Sequence, residues 1–154
     1  MSRSVAEKAV ALLWFLWAIL HLVPGFLAMR DALRGSISSI ERLSPESDSS
    51  ALTRAYPVEV EAILVTFGQH GFNLFWFGAV ALVGSYLIAF RRSRAALWST
   101  AVVIVLADLG ALFAVVLIGH IDPIGISIFS SVALGVALTC WLLISEPRKS
   151  RVLD

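Results

Sequence analysis

Cysteine is nearly absent. The chain has one, Cys140, so no intrachain disulfide, paired-cysteine redox centre or cysteine-rich metal site can be built. Charge is scarce as well. Only 15% of residues are charged, against about 25% in an ordinary soluble domain. Hydrolase and metalloprotease signatures are missing: there is no GxSxG elbow, and no HxxxH, HxH or ExxH spacing. No internal repeat is present. Long basic runs are missing too. RRSR at 91–94 and PRKSR at 147–151 hold three cations each, which excludes nucleic acid as the partner they serve.

What fills the chain instead is apolar. Of 154 residues, enough for one domain, 58% are hydrophobic, and the mean hydropathy is +0.86. A surface made from such a composition needs lipid to cover it. A hydrocarbon core of about 30 Å takes roughly 20 apolar residues in a helix. Four runs qualify: residues 9–29, 62–90, 97–119 and 126–145. The first is too long for the apolar part of a signal peptide. Phe26 also stands where a cleavage site at Phe26-Leu27-Ala28 needs a small residue. That run is read as a retained helix. The expectation is an all-α protein: an integral membrane four-helix bundle in a single domain, with the bilayer as its first partner.

Orientation follows from Lys and Arg near the span ends. Arg3 and Lys8 precede the first span. Arg91, Arg92 and Arg94 join the second to the third, and Arg148, Lys149 and Arg151 follow the fourth. The loop 119–125 has no Lys or Arg, and the loop 30–61 sets four arginines against six acids. Both termini are therefore expected in the cytoplasm, in a membrane of the bacterial inner (plasma) type. Residues 30–61 become an extracytoplasmic loop of about 30 residues. In that loop Leu33, Ile37 and Ile40 recur at helical spacing. They fit either a short amphipathic helix on the membrane surface or an irregular loop with scattered apolar residues.

The second span carries the densest polarity, in TFGQHGFNLFWFG (66–78). At 100° per residue, Thr66, Gln69, His70 and Asn73 share an arc roughly 100° wide. Gly71, Gly78, Ala81 and Ser85 form a separate stripe of small residues, suited to close helix approach in lipid. Through that stripe the chain is expected to join a homo-oligomer or a larger membrane complex. Asn73 lies some 25 Å above the inner end of its span.

Other spans offer matching groups. His21 shares a face of the first span with Trp14, Trp17, Pro24 and Ala28, and Pro24-Gly25 is expected to kink or end that helix. His21 sits about 18 Å from the inner end, and Asp108 in the third span about 16 Å. Asp108 is bracketed by Ala107, Gly110, Ala111 and Ala114, the pattern of a closely packed helix. An ionised carboxylate at the bilayer centre costs about 2.5–3.5 kcal/mol on insertion scales. Asp108 must therefore be protonated, paired or wetted, and His21 is the partner expected by depth. His120 and Asp122 cap the outer end of the third span in a turn, HIDP.

Together these residues define a candidate ligand-binding pocket: His21, Gln69, His70, Asn73 and Asp108. His21, His70 and Asp108, with His120 further out, also make an imidazole–carboxylate set suited to a transition metal such as zinc, copper or iron. The leading reading is a polytopic membrane protein whose outward-facing pocket binds a small ligand or metal ion, with His and Asp available for proton transfer. The rivals are a non-catalytic accessory subunit, whose polar residues only hydrogen-bond helices together, and an oligomeric proton-coupled carrier. In span count the chain resembles the DoxX-like and MAPEG groups of small membrane proteins. The ERxxxN-type glutathione motif of the latter is absent, so the likeness implies four spans and no activity.

Overall fold

The computed structural model describes residues 2–38, 48–118 and 123–145. Five helices occur among them, and no strand: α1 Arg3–Leu33, α2 Ser49–Ala55, α3 Pro57–Arg91, α4 Arg94–Ile118 and α5 Pro123–Ile144. Three stretches are long and apolar enough to cross a membrane: α1, α3 and Ile126–Ile144 of α5. α4 has 25 residues, about 37 Å of helix. The helices outrun the apolar cores that announce them. α1 starts at Arg3 rather than at residue 9, and α3 at Pro57 rather than at 62.

The helix ends are built from local chemistry. α1 closes in a Schellman motif. Gly35 takes φ +67, its N–H donates to the Ala32 carbonyl, and the Ser36 N–H donates to that of Asp31. The last orphan carbonyls are thereby satisfied. This ending breaks the helical spacing between Leu33 and Ile37. Leu33 is exposed, Ile37 lies buried beyond the turn, and Ile40 falls outside the described residues. Pro24 neither ends nor interrupts α1, which runs through it.

Asp48 caps α2. Its carboxylate accepts from the Ala51 N–H at 2.9 Å and from the Ser50 hydroxyl at 2.7 Å. Those bonds favour the ionised form and hold its pKa below the ordinary 3.8, with the Ser50 hydrogen bond the larger cause. Pro57 opens α3 at the first helical position, where its missing N–H costs nothing. Arg92 reverses the chain between α3 and α4 with φ +49. Ser93 then caps α4 by accepting from the Ala96 N–H.

The chain divides into two units, Met1–Trp17 with Val80–Asp154, and Ala18–Ala79. In the second, α1 and α3 meet along a glycine seam. A Cβ on Gly71 would lie 2.8 Å from the Gly25 carbonyl oxygen, and one on Gly25 2.5 Å from the Phe75 nitrogen. Gly78 is as tightly placed against Ala18 and Leu22. Backbone therefore rests on backbone, where no side chain can yield. In lipid such packing takes the place of hydrophobic drive.

In the first unit, Gly135 of α5 receives the Trp14 ring and Gly84 of α3 receives Thr100 of α4. At the charged end Glu7, 8% exposed, holds Arg3 at 3.1 Å and Arg92 at 3.8 Å. The Arg94 guanidinium donates to the Leu143 carbonyl, tying the start of α4 to the end of α5.

Two outcomes are expected. Gly25→Ala and Gly71→Ala should each destabilise the protein by about 1–3 kcal/mol, as overpacking does. Gly110→Ala, with nothing within 4 Å of its new methyl, should be neutral or gain up to about 1 kcal/mol of helix propensity. Thermal unfolding in detergent compares them. Second, the Asp48 cap should keep its full strength above the ordinary carboxylate pKa of 3.8. Because the folded pKa is depressed, that strength is lost as pH falls through the folded value. Hydrogen exchange at Ala51 should quicken there in the wild type, and at every pH in Asp48→Ala.

Candidate functional site

Asp108 is buried on α4, 6% exposed. Its partner from α1 is an indole. Trp17 Nε1 donates to Oδ2 at 3.1 Å and to Oδ1 at 3.3 Å, a forked bond in buried surroundings. The chain places them by simple counting: each residue lies 14 positions beyond the first residue of its helix. Both are thus about 21 Å along their helices. Counting from the apolar cores instead sets His21 level with Asp108. His21 is half-buried and follows Trp17 by one turn on the same face of α1.

The two tryptophans of α1 divide their tasks. Trp17 supplies a donor. Trp14 supplies bulk: it is fully buried against Gly135, and its own Nε1 has no hydrogen-bond partner. Trp76 of α3 stands exposed. The small-residue bracket around Asp108 does not describe a tight seam. Gly110 is exposed and touches nothing within 4 Å, and the side chains of Ala111 and Ala114 fall outside those described.

The polar arc of the second span sits elsewhere. Gln69, His70 and Asn73 are all exposed. The glycine seam claims the opposite side of α3: at 100° per residue, Asn73 stands 200° from Gly71. Gln69 borders a groove of about 410 Å³ beside Gly68, Leu64, Ala32 and Glu61. His70 and Asn73 do not line it. Of the small residues expected to meet a partner, Gly71, Gly78, Ala81 and Ser85 are buried, and Ala89, next on the same stripe, is exposed.

No group of three or more His, Cys, Asp or Glu among the described residues could hold a metal ion. His120 and Asp122 lie outside those residues. Gly25, Gly84 and Gly135, which make the closest approaches, are absent from the stripe read from sequence. The recurrence of glycine in α3, at 68, 71, 78 and 84, could have found Gly84; nothing in the spacing marks the other two.

No protein-family model, curated protein or solved structure matches the chain. Its class therefore rests on architecture: an all-helical protein with three described stretches suited to crossing a membrane.

The Trp17–Asp108 bond should show in a double-mutant cycle. Trp17→Phe and Asp108→Leu, singly and together, are expected to give a coupling energy of about 1–2 kcal/mol. That is above the ~0.6 average for hydrogen bonds in membranes, because the acceptor is a carboxylate. Equal additive losses in denaturant titrations would refute the bond.

Proposed function

We propose that the chain is a four-span integral membrane protein with both termini in the cytoplasm. In this reading α4 is the third span and residues 126–145 the fourth. Its working group is the Asp108 carboxylate, oriented by Trp17. The site binds a proton or a small ligand that donates hydrogen bonds. One observation carries the reading: a carboxylate 6% exposed, far from either helix end, accepts a forked hydrogen bond from an indole of α1. Membrane carboxylates of this kind mark ion and proton sites more often than they serve as fasteners. No reaction is assigned, and a proton-coupled carrier made from several copies is the dynamic form of the same proposal.

Gln69, His70 and Asn73 are not needed for this site, and a metal ion is not part of the proposal. Their exposure favours a second reading, a subunit that docks on other membrane helices.

Infrared titration of the purified protein tests the first reading. Wild type should show a carboxyl band that comes and goes with pH and is missing in Asp108→Asn. In proteoliposomes, Asp108→Asn should abolish any proton uptake seen with wild type. A band that never titrates, with identical behaviour of the variant, removes Asp108 from function.

A further inference from the structure

We propose that α3 is the self-association helix of this protein, pairing parallel and in register with α3 of a second copy. The argument begins with spacing. Positions 62, 66, 69, 73, 76, 80, 83, 87 and 90 alternate between four and three residues apart, the 3.5-residue period of a left-handed helix pair. They run almost the whole length of α3. Thr66, Gln69, Asn73, Trp76, Val83 and Phe90 on this line are all exposed. The other side of the helix is already committed, with Gly71, Gly78 and Ala81 buried.

The polar half of the line selects the occupant. The Gln69 and Asn73 side chains make no hydrogen bond within the chain among the described residues. Asn73, about 25 Å above the inner end of its span, lies within the hydrocarbon, where lipid tails offer its amide nothing and an unmet polar group is costly. What satisfies it is a surface with both a donor and an acceptor at the same height. A carboxamide is its own complement, N–H to C=O in each direction. A second copy inserted with the same orientation presents the same amide at the same depth. An antiparallel copy spanning the same length of α3 would set Asn73 against Val80 and Gln69 against Val83, so the pairing is parallel. Asn73 takes an a-type position and Gln69 a d-type one. A lone Asn at an a position fixes register and strand number in parallel coiled coils. His70 flanks the line, where it can reach across to the partner helix.

The test uses the full chain in membranes, with Cys140→Ser removing the only native thiol. Asn73→Cys should form a disulfide-linked dimer on mild oxidation. Leu106→Cys, equally exposed but on α4, should form far less. Without oxidant, sedimentation in mild detergent should show a dimer. Asn73→Leu and Gln69→Leu should each weaken it by about threefold for every hydrogen bond lost. Both positions are exposed, so helix content and melting temperature of the protomer should hold. The proposal is overturned if the chain is monomeric throughout. It is also overturned if the two cysteines cross-link equally, or if a dimer persists at full strength in both Leu variants, placing its interface on another face. Cross-links from Cys at 73 to a different protein alone would overturn it as well, in favour of the subunit reading.

Discussion

The structure turns on how close two backbones come. Gly25 on α1 and Gly71 on α3 bring main chain against main chain, with no room for a methyl group on either side. Once that contact is made, α3 has no rotational freedom left in this unit. Its glycine face points at α1, and whatever lies on the far side points away. The polar arc of Gln69, His70 and Asn73 is exposed for this reason and not through any preference of its own. A polar residue in an apolar helix is usually expected to turn inward. Here packing geometry overrules it, because glycine contacts in lipid are short-ranged and cannot be made at any other angle.

A second constraint acts on Asp108. A carboxylate among apolar side chains must be met by donors, and the described partner is Trp17. An indole differs from a cation in this role. It donates one N–H, orients the oxygens, and buries a large apolar ring in the same step.

Much of the architecture was legible in the sequence. The long helices follow from apolar runs bounded by arginines, and the depth of Asp108 follows from counting along a helix. The hydrogen bond from Trp17 was not. The count began at the apolar cores, whereas α1 and α4 begin among charged residues at Arg3 and Arg94. A helix does not stop where hydrophobicity stops. The end of α1 was hidden for a related reason: Gly35 ends the helix by its conformation, which apolar spacing does not register. The small-residue stripe was visible, but its use was not. Gly71 and Gly78 serve an intrachain seam as readily as a partner, and period alone does not say which.

The two polar groups of this chain therefore answer to different physics. Asp108 is enclosed, and its energetics are set by neighbours on the same chain, beginning with Trp17. Gln69 and Asn73 are displayed, and their energetics depend on what arrives from outside. Moving an enclosed carboxylate toward solvent would cost little in hydration but would break a forked hydrogen bond. Covering a displayed carboxamide gains a bond where lipid provided none. Leucine at 69 and 73 would satisfy lipid without any partner and keep the helix intact. Carboxamides there, on a line with exposed Trp76, suit an interface better than a lipid-facing surface.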